Sequence, residues 1–393
     1  MKSANAFKQS LMAYAFNIFG IVAGTTVAYH VGVFELFPWA FAIYPPILSA
    51  RGVIGGLLCG RLSTALHLGT VHPHFFRNTK TFYLLFRAIV VLTFETSIFM
   101  VLIATLFTGF YGGSMADFWS LLLVIMATMA LALIIISPLT FTVSFISFKQ
   151  GLDPDIILYP IESTVADLLI TATYIGVLNV FAFAGFVGKS MLVLTSLALP
   201  FCAIYFMIRS FKEVEFLKTV KESFLTMILV SFIINIAGST LGKIAEKVGE
   251  KQEIYIVYPA LIDTIGDVGA TVGSTATTKL ALGTLRSSLS SIKDHKVEIF
   301  GAWAASALMF GVYAVLALII RGVLTAPNLL RFTALLLIAN LIAASCIILV
   351  SYAVAILTYQ WGLDPDNFEI PIESSLADSL TSIALLTALL MIG

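Results

Sequence analysis

The chain has 393 residues, 59% of them hydrophobic and 11% charged, with a mean hydropathy of +1.01 and a formal net charge of zero. Soluble domains carry about 45–50% apolar and about 25% charged residues, so this composition excludes a soluble globular protein and places most of the length inside a bilayer. The zero net charge supplies no basic field for nucleic acid, and Cys59, Cys202 and Cys346 fall singly in apolar segments, in no disulfide or metal-ligand spacing.

A membrane span needs ~20 predominantly apolar residues. Segments that meet this run at 11–31, 36–66, 84–107, 121–148, 160–183, 191–208, 224–244, 254–282, 299–320, 332–359 and 372–392. The first follows a weakly basic start (Lys2, Lys8) and outruns a signal h-region, so no cleavable leader is expected. The second and eighth are long for a single crossing and predict tilted or broken helices. The connecting loops leave no room for a sizeable soluble domain.

The chain repeats itself. Residues 151–167 read GLDPDIILYPIESTVAD, and residues 362–378 read GLDPDNFEIPIESSLAD. Asn17-Ile18-x-Gly20-x3-Gly24 in the first segment pairs with Asn235-Ile236-x-Gly238-x3-Gly242 in the seventh. Tyr44-Pro45 pairs with Tyr258-Pro259, Gly52-x-x-Gly55 with Gly266-x-x-Gly269, and Leu68-Gly69-Thr70 with Leu282-Gly283-Thr284. The expected architecture is an all-α membrane protein of eleven helices: a five-helix repeat (1–186), a linker helix and loop (187–221), and a second five-helix repeat (222–393). An odd repeat plus one extra crossing returns the chain to its starting face. The two halves therefore enter the membrane in the same direction, as a parallel 5+1+5 pseudo-dimer.

Lys and Arg concentrate in loops that lie on one face if the N-terminus is inside: Arg61, Arg77 and Lys80, then Lys149, then Arg209, Lys212, Lys218 and Lys221, then Arg286, Lys293 and Lys296. On the other face Lys243, Lys247 and Lys251 are balanced by Glu246, Glu250 and Glu253, with Lys189, Arg321 and Arg331 besides. The expectation is a cell-membrane protein with a cytoplasmic N-terminus and an external C-terminus.

Pro160 and Pro371 suit a first helical turn, and Asp167 and Asp378 follow seven residues later, about two turns into the bilayer. Helical spacing puts Ser163, Thr164 and Thr171 on the face of Asp167, and Ser374, Ser375, Thr381 and Ser382 near that of Asp378. An ionised carboxylate inside a membrane costs at least a few kcal/mol and persists where it lines water, meets a cation or pairs with a base. Neither helix contains a Lys or Arg to pair with it. The alternative is a protonated or hydrogen-bonded Asp that supports packing. Glu162 and Glu373 lie off this face and read equally as dipole-complementing first-turn residues or as an ion mouth. Asp153, Asp155, Asp364 and Asp366 read as turn formers.

Gly52, Gly55, Gly56 and Gly60, and Gly266, Gly269 and Gly273, permit either close helix packing or unwound backbone that offers carbonyls to a cation. Asp263 and Asp267 occur only in the second copy, opposite Ser49 and Val53, and Asp267, beside the glycines, is the better ligand candidate. Glu95 is a lone acid in the third segment, a relay or an interhelical hydrogen-bonding group. His67, His72 and His74 read as a solvated loop. Two carboxylates backed by hydroxyls and carbonyls suit a hydrated divalent ion, since Mg²⁺ keeps several waters and takes one or two direct carboxylates. The lack of Cys or His among these ligands counts against copper and zinc.

The pattern Gly-Leu-Asp-Pro…Pro-Ile-x-Ser-x2-Ala-Asp before each last helix, with Tyr44-Pro45…Gly52-x-x-Gly55…Arg61-Leu62-Ser63-Thr64…Leu68-Gly69, resembles the MgtE family of Mg²⁺ transporters and channels. In tandem form it is especially similar to the eukaryotic solute-carrier relatives of that family and their prokaryotic counterparts. The resemblance covers both five-helix units. It implies a fused pseudo-dimer enclosing a pathway between the repeats, with Asp167 and Asp378 as Mg²⁺ ligands and the backbone near Ser163 and Ser374 as neighbouring oxygens. Mn²⁺ and Co²⁺ are the implied competitors. The chain departs from the family where Gly-Asn is usual, having Gly52-Val53 and Gly266-Asp267. About ten residues precede the first helix, so gating by a cytoplasmic sensing domain is not expected.

Three other readings compete. A Na⁺- or H⁺-coupled exchanger would use Glu95 or Asp267 as its coupling site. An intramembrane aspartyl protease would pair Asp167 with Asp267, which the one-per-repeat placement of Asp167 and Asp378 disfavours. A non-transporting scaffold would show no ion-dependent stability. Membrane lipid is the expected surrounding.

Overall fold

The structure is a computed structural model that describes residues 2–107, 114–150, 154–248, 252–362 and 366–392. It is 88% helical, with no strand among the described residues. The first segment forms α1 (Lys2–Tyr14), a 3₁₀ turn (Ala15–Phe19) and α2 (Gly20–Tyr29). A short α3 (Val31–Glu35) leads to α4 (Ala40–His67), α5 (Lys80–Leu106), α6 (Phe118–Lys149) and α7 (Pro154–Phe183). Then follow α8 (Gly185–Ser210), α9 (Val214–Val248), α10 (Glu253–Ala281), α11 (Lys296–Ile320), α12 (Ala326–Gln360) and α13 (Asp366–Ile392).

Among the described residues, nine helical stretches are long and apolar enough to cross a membrane, against the eleven expected. The second and eighth segments are not among the nine, although α4 and α10 run 28 and 29 residues; several side chains of α4 lie outside the described residues. The two helices exchange apolar side chains for Pro, Gly, Thr and ionisable groups, a composition suited to helices that face protein on most sides. The linker helix α8 is the opposite case. Its Phe186, Leu194, Phe201 and Ile208 are exposed, which an apolar helix tolerates when its solvent is hydrocarbon.

The helices gather into two compact units, one of Met1–Tyr29 with Ile236–Gly393 and one of His30–Asn235. In the 30–235 unit, α4 packs on α5, α6 and α7, and α8 on α5 and α6. An aromatic cluster ties α3, α4 and α7: Tyr44 stacks on Tyr174 at 6.1 Å, Phe34 meets Tyr174 edge-on at 5.6 Å, and the Tyr174 hydroxyl donates to the Ala40 carbonyl at 2.7 Å. In the other unit α10 is central, against α2, α11, α12 and α13, while α1 lies on α11. The first segment thus packs on helices that follow Ile236 in sequence. Gly20 and Gly24 make this possible, because a Cβ at Gly20 would lie 2.9 Å from the Ala260 nitrogen and one at Gly24 2.5 Å from the Tyr255 carbonyl oxygen.

The repeated Leu-Gly-Thr triplet is a helix stop. Gly69 and Gly283 take left-handed φ values of 69° and 67°. Gly69 N–H donates to the Leu66 carbonyl and Thr70 N–H to Ala65; Gly283 and Thr284 repeat this on Leu280 and Lys279. This is the Schellman arrangement, which satisfies the last carbonyls of α4 and α10. A β-carbon at either glycine would strain it.

Candidate cation site

α4 and α10 run as uninterrupted helices through Gly52, Gly55, Gly266 and Gly269. The unwound-backbone reading of these glycines is therefore corrected: carbonyls that stay in the helical ladder are not released to an ion. Close packing is not the role of Gly266 either, since a Cβ there would meet only the Ala377 Cβ, at an ordinary 3.9 Å. That contact does place the next residues, Asp267 and Asp378, on two touching helices.

In the 30–235 unit, Asp167 is 5% exposed on α7. The absence of a base within its own helix does not leave it without one. Arg51, itself 5% exposed on α4, donates from Nη1 to Asp167 Oδ1 at 3.2 Å. Four residues on, Thr171 Oγ1 and the Tyr44 hydroxyl are hydrogen-bonded at 2.9 Å, fastening α7 to α4.

The other unit reproduces the scaffold with different charges. Asp378 is 7% exposed on α13. Ser382 Oγ donates to its carbonyl at 2.8 Å and bonds the Tyr258 hydroxyl at 2.7 Å. Thr171 and Ser382 thus hold helices together at matching positions. The residue matching Arg51 is Ile265, so this guanidinium belongs to the first copy alone. The second copy instead has Asp263 and Asp267, four residues apart on one face of α10.

Asp267 is held from the first segment. Asn17, buried on the 3₁₀ turn, donates through Nδ2 to Asp267 Oδ2 at 2.7 Å and to Thr264 Oγ1 at 3.2 Å, and Thr264 bonds the Tyr313 hydroxyl at 2.8 Å. The Tyr14 hydroxyl reaches Thr271 Oγ1 at 3.2 Å. Asn17→Leu keeps the branched heavy-atom shape and removes the donor to Asp267, a loss of about 1.5–3 kcal/mol. It should lower the melting temperature of the protein in detergent.

Other candidates behave differently. Glu95 is half-buried on α5, and its Oε2 has no hydrogen-bond partner among the described residues. His72 and His74 lie in a loop built by Asn78, whose Nδ2 donates to both their carbonyls, at 2.8 and 2.6 Å. The side chains of Glu162, Ser163, Glu373, Ser374 and His67, and of Asp153, Asp155, Asp364 and Asp366, lie outside the described residues. Sequence reading passed over two features. One is Arg51, whose signal was a lone basic residue within an apolar span. The other is the buried His295, which bonds Thr275 Oγ1 at 3.1 Å beside the Lys279–Glu298 ion pair at 2.8 Å; nothing in its loop-like sequence signals burial.

Among the described residues no three His, Cys, Asp or Glu side chains gather into a dehydrated metal cage. The sequence matches the profile of the MgtE divalent cation transporters over residues 44–177 and 258–388. No curated protein and no solved structure matches it. With both copies of the motif, both buried aspartates and most of the chain inside that match, this multi-pass, all-helical membrane protein belongs to the MgtE family of divalent cation transporters.

Proposed function

We propose that the chain carries Mg²⁺ across the cell membrane as a 5+1+5 pseudo-dimer, with Asp167 and Asp378 as the carboxylates that meet the ion and Asp267 as a further acid beside Asp378. The observation that carries this reading is the burial of both motif aspartates at matching positions, 5% and 7% exposed. An acid inside a membrane is costly unless a cation or donor compensates it, and a cost incurred twice at one motif position points to the transported ion. Carboxylates and hydroxyls as the candidate ligands, with no Cys or His among them, favour Mg²⁺, with Mn²⁺ and Co²⁺ as competitors. The Lys and Arg distribution supports an orientation with the N-terminus inside.

The test is Mg²⁺ uptake into proteoliposomes holding the purified chain, with no gradient but that of Mg²⁺, alongside Asp167→Asn and Asp378→Asn. Uptake by the unaltered chain and its loss in both variants is the expected result. No Mg²⁺ movement under any imposed gradient would sink the reading. A second reading rests on Glu95: a half-buried carboxyl with an unpartnered oxygen is a candidate proton carrier. It predicts that uptake needs a proton gradient and that Glu95→Gln removes that need.

A further inference from the structure

Arg51, in contact with the first aspartate, is not repeated in the second copy. Its side chain and that of Asp167 are 6% and 8% exposed, and the two are in contact at 3.2 Å. Because Ile265 stands at the matching position, the repeated scaffold does not require an arginine there. The hydroxyl clasp between α4 and α7 forms without it, through Tyr44 and Thr171, as the clasp between α10 and α13 does through Tyr258 and Ser382. A membrane-buried arginine is itself expensive, so its presence calls for a role other than holding helices. Arg51 also borders a half-open, largely apolar pocket whose wall includes Thr93, Ser137 and Thr140.

We propose that Arg51 is a tethered cation that competes with the divalent ion for Asp167, an inference resting on the reading of Asp167 as an ion-meeting carboxylate. When Arg51 is seated, Asp167 is neutralised and gives up the ion. When the ion binds, the guanidinium gives up the carboxylate. The two copies of the site therefore differ in affinity, the first being weakened from within.

The test is Mn²⁺ binding to the purified protein in detergent, read from the loss of the free Mn²⁺ paramagnetic resonance signal. Arg51→Gln, and Arg51→Ile, which installs the residue of the second copy, should each tighten Mn²⁺ binding by at least about tenfold, since a unit positive charge in contact with the ligand is removed. Arg51→Lys should stay near the unaltered chain. The double change Arg51→Gln with Asp167→Asn should lose the gain. If Arg51→Gln and Arg51→Ile fail to fold, Arg51→Met, which keeps the apolar stem and removes the charge, decides in their place and should tighten Mn²⁺ binding likewise. Unchanged Mn²⁺ affinity on removal of the Arg51 charge overturns the proposal and leaves the transport reading standing. Absence of Mn²⁺ binding and of Mg²⁺ uptake in every form, the unaltered chain included, overturns both.

Discussion

Asp378→Asn should cut Mg²⁺ uptake by about tenfold or more while leaving the protein as stable as before, or more so. The substitution is isosteric, and the clasp between α10 and α13 is made by other groups. Ser382 bonds the Asp378 backbone carbonyl, and Tyr258 bonds the Ser382 hydroxyl. What disappears is a buried negative charge, whose desolvation disfavours the folded protein, together with a charge-assisted ligand to the ion. Ligands of that kind contribute about 1.5–3 kcal/mol, which corresponds to roughly ten- to a hundredfold in binding. The opposite signs separate the roles. A carboxylate kept for packing would lose stability on conversion to the amide and leave flux untouched. Uptake assays and thermal melts on the same preparation measure both.

The same comparison bears on what the sequence made legible. Membrane class, the tandem repeat and the matching aspartates follow from composition and from residues 151–167 and 362–378, because long apolar spans and a repeated motif are local patterns. Arg51 escaped because its partner is 116 positions away and the repeat pairs it with Ile265, so the internal comparison that exposes the motif also conceals the exception. The glycines of α4 and α10 are ambiguous for a physical reason. Small-residue spacing states that something comes close, or that the helix is free to deform, without naming what. In the structure Gly20 and Gly24 are glycines of close approach, and their partners on α10 lie more than two hundred residues later. His295 was equally hidden, since burial of a polar loop residue depends on which helices close over it.

Gly24 carries the second large effect. Pro259 has no N–H, so the Tyr255 carbonyl four residues earlier lacks its helical donor. It is this oxygen, with that of Ile256, that occupies the position a Gly24 Cβ would take. Neither atom is the end of a flexible side chain. Gly24→Ala must therefore separate α2 from α10, and Gly24→Val must do so further. In a helix interior, alanine is otherwise favoured over glycine by roughly 0.5–1 kcal/mol. Overpacking against rigid backbone costs about 1–3 kcal/mol, and separation also stretches the Asn17–Asp267 hydrogen bond two turns away, worth about 1.5–3 kcal/mol more. The clash wins, and both variants should melt well below the unaltered protein. Gly176→Ala on α7, where a Cβ meets nothing within 4 Å, supplies the control and should be neutral or slightly stabilising. Because the displaced helix continues from the turn that carries the donor to Asp267, Gly24→Ala should lower Mg²⁺ uptake at temperatures where it remains folded. A variant that melts like Gly176→Ala would mean that α2 does not lie on α10 at this contact.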